Sequence, residues 1–517
     1  MYTRIKKITG LLLCALFVVP MACEDDIDPV ITELSTPRTF APVGLEARVR
    51  NQVDIELSWT ADPNVDQYAI EFYQDSLNFS GDPVSTAIID EIPAVGGTLT
   101  HTETLAGETR YSARVRAVTD GLTESKWATV TARTQAEQIF QTIPGENVQD
   151  TYATVLWTAG SDVTHFLVMP GNLLVQISES EKVAGEATIQ GLIGATDYTV
   201  ILYNGPKKRG TFSFSTLKEA NVSPLDDLGA KIDAAEEGAI LILASGTYDL
   251  GSKEITKSIT IEGQKSYDMP VINGQLACAT AVSSITVRQL DFQGNNEYGQ
   301  FFNASAATCN LGALNIEGCE ISGYDNNIIY SNSGGAYGDI TITDTYIHDI
   351  PGGGGDGFDF RGGAVGSLTV ENTTISNGVR TLLRMQVAAD VAFKNCTFYK
   401  ACIADNSNNR GFFRMSGGGN SLEVTNCLFV ETGVEGAGGA IYGNWSRAGD
   451  ISEEVELTYR DNYYFNTIGL WEGEYLDPSE VDATEADPGF ADAENGDFSV
   501  SNQTLKDESV GDTRWLQ

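Results

Sequence analysis

Three arginines sit at nearly equal distances before a recurring sequence phrase. They are Arg361 in Phe358-Asp359-Phe360-Arg361, Arg384 in Leu382-Leu383-Arg384-Met385, and Arg414 in Phe412-Phe413-Arg414-Met415. A guanidinium presents a planar fork of donors that matches a carboxylate two bonds at a time. A regularly spaced row of them fits a ligand that repeats a carboxylate, such as a chain of uronic acids. Arg380 and Arg410 stand close enough in sequence to join the row. Residues 361–414 hold seven basic residues and three acids, a local charge of +4 in a chain whose net charge is −39. Stacking like charges costs Coulomb energy, so a ligand explains the surplus better than structure alone. The competing reading pairs these arginines with neighbouring acids on a solvated face. Tyr330, Phe412, Tyr442, Trp445 and Trp471 supply candidate aromatic surfaces for the neutral part of a sugar, and Trp445 in Gly-Asn-Trp-Ser is expected to be the exposed platform.

The phrase that sets the spacing is an apolar residue, two mostly polar ones, a small residue or cysteine, a polar residue, then an apolar one. It occurs as Val287-Arg-Gln-Leu290-Asp-Phe292, Ile316-Glu-Gly-Cys319-Glu-Ile321, Val370-Glu-Asn-Thr373-Thr-Ile375, Phe393-Lys-Asn-Cys396-Thr-Phe398 and Val424-Thr-Asn-Cys427-Leu-Phe429, with an offset copy centred on Thr345 and a degenerate one on Asn462. Successive centres lie 23 to 35 residues apart. That step, with alternating apolar residues and Gly/Asn-rich connectors, predicts a β-solenoid whose coils share one core. Arg361, Arg384 and Arg414 lie 12, 12 and 13 residues before the centres Thr373, Cys396 and Cys427, which predicts equivalent places on consecutive coils. Phe360, Leu383 and Phe413 then point inward and the arginines outward, about 4.8 Å apart. Cys278, Cys309, Cys319, Cys396, Cys402 and Cys427 read first as buried thiols used as small apolar groups, with disulfides the alternative in an oxidising compartment.

Before the solenoid, Ile55-Glu-Leu57-Ser-Trp59 and Val155-Leu-Trp157 are core strands, each followed by the same phrase: Leu105-Ala-Gly-Glu-Thr-Arg-Tyr111 and Leu192-Ile-Gly-Ala-Thr-Asp-Tyr198. This pattern resembles fibronectin type III modules, which implies two β-sandwiches with a Trp between the sheets and a tyrosine corner. At the solenoid start, Ser223-Pro224-Leu225-Asp226-Asp227 has the chemistry of a helix N-terminus, with Leu225, Leu228, Ile232 and Ala235 on one face. The helix, the strand bounded by Gly238 and Gly246, and Gly246-Thr-Tyr248 resemble the start of the right-handed parallel β-helices of the pectate lyase superfamily. The fold expected is all-β: two fibronectin type III-like sandwiches, then a right-handed parallel β-helix with an N-terminal capping helix.

Arg4, Lys6 and Lys7 precede the apolar run Ile8–Met21, and Ala22-Cys23 follows. This resembles a bacterial lipoprotein signal, with the acids Glu24, Asp25, Asp26 and Asp28 resembling the surface-export tag of Bacteroidota lipoproteins. The organisation expected is a signal peptide at 1–22, an acidic linker at 23–40, sandwiches at 41–135 and 138–217, the β-helix at 222–470 and a closing segment at 471–517. The closing segment looks like those of Bacteroidota polysaccharide-utilisation-locus proteins. The resemblance implies an outer-membrane lipid anchor at Cys23, a cell-exterior location and partnership with an outer-membrane glycan transporter.

The charge of −39 argues against nucleic acid, which is held by lysines and arginines on phosphates. The function expected is binding of an acidic polysaccharide, pectin or polygalacturonate in type, without catalysis. The alternative is a polysaccharide lyase acting by β-elimination, with Lys394 or Arg384 as base. No cofactor is required by the first reading. Calcium is the candidate for the second, with Asp356 and Asp359, and less directly Asp344 and Asp349, as ligands. Polygalacturonase-like hydrolysis lacks its Gly-His-Gly, since His348 in Ile-His-Asp349 is the solenoid's only histidine and reads as a turn residue.

Overall fold

The computed structural model describes residues 37–93, 96–332, 334–351 and 354–517. The signal segment, Cys23 and most of the acidic linker lie outside the described residues. The fold is all-β, with two sandwiches and a parallel β-solenoid.

In the first sandwich a three-stranded sheet (Val43–Arg50, Asp54–Thr60, Thr98–Thr104) faces a four-stranded one (Ser85–Ile89, Gln67–Tyr73, Arg110–Val118, Ala128–Arg133). Trp59 fills the space between them and meets Tyr68 edge-on at 5.4 Å. The hydroxyl of Tyr111 accepts a hydrogen bond from the Ala106 amide at 3.1 Å, the expected corner. The second sandwich repeats the device: Trp157 is buried, and Tyr198 accepts from the Ile193 amide at 3.0 Å. Here the first strand is reduced to a single bridge between Phe140 and Trp157, which accounts for the shorter module. In both, the glycine of the shared phrase is forced by close approach. A Cβ on Gly107 or Gly194 would come within 2.8 or 2.9 Å of a backbone carbonyl.

The solenoid strands stack in register into three columns of parallel strands. The first column is a nine-stranded sheet running from Ala239–Leu243 to Glu456–Arg460. The second descends from the first half of Val271–Cys278 through Asp291–Gln293, Glu320–Ser322, Tyr346–His348, Thr374–Gly378, Thr397–Ala401, Leu428–Val430 and Asn462–Phe465. The third starts from the second halves of Thr247–Ile255 and Val271–Cys278 and continues through Gln300–Asn303, Asn327–Ser331, Phe358–Phe360, Thr381–Met385 and Gly411–Met415.

The recurring phrase is the corner between the first and second columns. Its third residue, Gln289, Gly318, Asp344, Asn372, Asn395, Asn426 or Asp461, has φ between 49° and 61°. That left-handed conformation explains the preference for Asn, Asp and Gly. The centre that follows turns inward and is buried in every coil. Its short polar group returns to the backbone: the Cys427 thiol donates to the Thr425 carbonyl at 3.4 Å, and the Thr373 hydroxyl to the Glu371 carbonyl at 2.9 Å. Cysteine and threonine fill five of the seven centres, each being small and able to satisfy that carbonyl. All six thiols are unpaired and buried among the described residues.

Inside, Leu276, Phe302, Ile329, Phe358, Leu383 and Phe413 stack in register as one row of the core. The capping helix is shorter than expected, Leu228–Ala234. Its N-cap is Asp227, whose carboxylate accepts from the Ala230 amide, while Ser223 to Asp226 form a turn closed by the Asp226 carboxylate. Leu225 is therefore off the helix and 97% exposed; Leu228 and Ile232 are buried against the first coil, with Ala235 packed beside them.

Residues 486–517 fold back over the outer face of the second column. Phe498, Val500, Leu505 and Val510 bury the outward side chains of Tyr399, Leu428, Val430 and Tyr463. The Arg514 guanidinium reaches the Thr345 carbonyl at 3.0 Å, Asp512 accepts from the Thr374 hydroxyl at 2.7 Å, and the Gly511 amide donates to the Asn426 carbonyl at 2.8 Å.

Candidate ligand-binding face

The third column carries the arginines. Along its outward row the register is Ala277, Asn303, Tyr330, Asp359, Arg384, Arg414. Phe360, Leu383 and Phe413 point inward as expected and are fully buried. Arg384 and Arg414 are directly aligned on consecutive strands. Arg361 is not the third member of this row. Asp359 occupies that place, and Arg361 lies just past the strand's end. The equal spacing misleads because the path from third to first column varies: the register-equivalent pairs Phe360 and Leu368, Met385 and Val391, and Met415 and Leu422 lie eight, six and seven residues apart.

Three buried carboxylates underlie the arginines: Asp356, Asp359 and Asp450. Each holds one guanidinium closely and a second at arm's length. Asp359 takes Arg361, with Nε donating to Oδ1 at 2.9 Å and Nη2 to Oδ2 at 2.5 Å. Asp356 takes Arg380, Nε to Oδ1 at 2.8 Å; Arg380 is 7% exposed and unavailable to a ligand. Asp450 takes Arg410, Nε to Oδ2 at 2.8 Å. By contrast, Arg384 stays 3.7 Å from Asp356 and 3.9 Å from Asp359, and Arg414 stays 3.7 Å from Asp450. The Nε–H groups of Arg384 and Arg414 are buried without a hydrogen-bond partner, while 20% and 23% of the two side chains remain open.

The electrostatics follow this division. Burial pushes the Arg384 guanidinium below its ordinary proton affinity; Asp359 opposes that, while Arg361 and Arg414 add to it. Hydrogen bonding to Asp359 raises Arg361 instead, and burial raises the Asp359 carboxyl although Arg361 pulls it down. At the rung spacing, two unit charges repel by about 3 kcal/mol at an effective dielectric near 20. An anion between the open parts of Arg384 and Arg414 would relieve that repulsion.

Trp445 is corrected from exposed platform to core. It is 0% exposed, packed against Phe413 at 5.2 Å and Phe429 at 5.1 Å. The chain re-joins the ladder at Asn444-Trp445, where the Phe413 amide donates to the Trp445 carbonyl, so the indole continues the inward row beyond Phe413. Phe412 is buried too. The aromatics beside the arginines are Tyr330, under the Arg361 guanidinium at 5.2 Å, and Tyr442, 5.9 Å from Arg447.

Lys394 ends a strand of the first column and pairs with Glu423 at 2.8 Å, so it does not converge with Arg384. Asp356 and Asp359, named as calcium ligands, are engaged by guanidinium groups, and no cluster of three or more metal-ligating side chains occurs among the described residues. Asp344 turns to Asn372 and Asp349 to His348. Arg447 and Asp450 were not foreseen. Their signal was indirect: an arginine row needs buried acids, and Ser446-Arg-Ala-Gly-Asp450 supplies one.

Residues 246–378 match a domain of unknown function, DUF4957, and residues 391–515 match another, DUF5123. Asp356, Asp359 and Arg361 fall in the first, Arg410, Arg414 and Asp450 in the second, and Arg384 between them. No curated protein matches this chain. Among solved structures, a two-domain fibronectin type III segment from chicken tenascin is 20% identical, over 34% of this chain and 97% of that one, with a TM-score of 0.22. The central fibronectin type III array of RIM-binding protein is 18% identical, over 38% and 67%, with a TM-score of 0.15.

Proposed function

We propose that this chain binds an acidic polysaccharide, of the pectin or polygalacturonate type, on the outward face of the solenoid's third column. The observation that carries the reading is the pair of aligned guanidinium groups, Arg384 and Arg414, partly open to solvent and hydrogen-bonded to no carboxylate, their nearest acids standing 3.7 Å away. Arg288 meets Glu317 at 2.7 Å and Lys394 meets Glu423 on the first column, while the second column is overlaid by the C-terminal segment. In this reading the chain is a surface lipoprotein, lipid-anchored through Cys23 to the outer membrane and working beside a glycan transporter. Loss of membrane association on Cys23→Ala tests the anchor.

Each charge-assisted hydrogen bond to a partly desolvated carboxylate is worth about 1.5–3 kcal/mol. Arg384→Ala should therefore weaken polygalacturonate binding roughly tenfold or more, and added salt should weaken it in the wild type. Calorimetry against polygalacturonate and a neutral glucan at two salt concentrations decides. Equal affinity for the neutral glucan, or no loss on Arg384→Ala, overturns the reading. A lyase reading rests on the lowered proton affinity of Arg384, which would act as base. Unsaturated product formed from polygalacturonate, followed by ultraviolet absorbance, would select it.

A further inference from the structure

Resting on the acidic-glycan reading, we propose that the face is a two-charge site. It takes acidic groups on two successive sugar residues, at Arg384 and Arg414, and a neutral or esterified residue at the next rung toward Tyr330. The preferred ligand is thus a glycan with short acidic blocks, not a uniformly charged chain.

The outward row gives the reason. Passing back from Arg414, the rungs present Arg384, then Asp359, then Tyr330, then Asn303. At the Asp359 rung both carboxylate oxygens are engaged by Arg361, whose guanidinium also lies against the Tyr330 ring. That rung is electrically closed. A third carboxylate placed there would lose water, meet a guanidinium whose charge Asp359 already cancels, and face a buried acid. Tyr330 itself is neutral, with its hydroxyl accepting from Asn332 Nδ2 at 2.9 Å, and suits sugar hydroxyls.

The positive end is not cancelled in the same way. Arg380 holds Asp356 and Arg410 holds Asp450, so Arg384 and Arg414 keep their charge. Arg447 donates to the carbonyls of Ser407 and Asn409 in the loop beside the last rung, and does not extend the row toward Tyr330.

The test is calorimetry on the full chain at low salt with galacturonic acid, digalacturonate, trigalacturonate and a trigalacturonate methyl-esterified at one terminal residue. Affinity should rise at least tenfold from monomer to dimer. From dimer to trimer it should change less than threefold, the scale of the extra binding registers, and the singly esterified trimer should match the dimer. In Asp359→Asn, Arg361 is released, and trigalacturonate should then bind at least fivefold tighter than digalacturonate. A tenfold gain from dimer to trimer in the wild type, or a large loss on esterification, overturns the two-charge site while leaving acidic-glycan binding intact. Failure of every oligomer to bind overturns both. The wild-type series decides even if Asp359→Asn does not fold.

Discussion

Arg380 and Arg384 are four residues apart and nearly identical in what their sequence context suggests. One is sealed against Asp356; the other is half-committed to two acids and bonded to neither. Sequence reported the surplus of positive charge but not which guanidiniums were already matched, because the matching acids arrive from loops of unrelated spacing. His348 shows the same limit. It reads as a turn residue, but its ring stacks on Tyr346 at 4.3 Å and bonds Glu320 at 2.9 Å and Asp349 at 2.8 Å. Burial alone would lower its proton affinity, but the two carboxylates outweigh that and raise it above the ordinary 6.5. A raised folded value means stabilisation that is full below the unfolded value and lost as pH climbs through the folded one. His348→Gln should therefore destabilise most near about pH 5.5 and much less near about pH 9, values on either side of the imidazole range. Urea denaturation of both proteins at the two pH values reads this, and a difference that grows with pH contradicts it.

At the scale of the element, the corner between the first and second columns is the most legible part of the fold. Its left-handed residue and buried centre make a repeat that shows through in the sequence even as loops lengthen and shorten. Asn426 isolates the backbone contribution, since its φ is 52° and its side chain has no tertiary hydrogen bond among those described. Asn426→Val, β-branched at positive φ, should cost about 1–3 kcal/mol. Asn426→Gly should cost less than about 1 kcal/mol. Chemical denaturation compares them, and equal losses would show that packing rather than backbone conformation selects asparagine. Strand register was less legible. Alternation within a strand placed Phe360, Leu383 and Phe413 correctly inward, but counting back from the next corner crossed a connection of variable length and promoted Arg361 into a row that belongs to Asp359. Trp445 failed for a related reason: glycines on its N-terminal side suggested an open loop, and nothing local announced that the chain re-enters the ladder there.

For the molecule as a whole, the solenoid core runs without interruption from Val222 to Ala483, across the gap between the two matched families. Across that gap Thr374–Gly378 pairs in register with Thr397–Ala401, and the strand inside it, Thr381–Met385, pairs with Gly411–Met415. The C-terminal segment adds a second, smaller core in which Phe498 meets Tyr399, Phe490 and Trp515 at 5.4 to 5.7 Å. Phe498→Ala should cost about 3–5 kcal/mol, lowering thermal stability while leaving ligand affinity on the third column unchanged; a parallel loss of affinity would show that the two faces are coupled. That segment has one more consequence. Solenoids lengthen in evolution by duplicating coils, and a free outer face tolerates this. Here Arg514, Asp512, Gly511 and Glu508 are matched in turn to Thr345, Thr374, Asn426 and Tyr463, so an extra coil would shift every later partner by about 4.8 Å. The strap acts as a ruler, and it should hold the coil number of this chain's descendants fixed where neighbouring solenoids are free to grow.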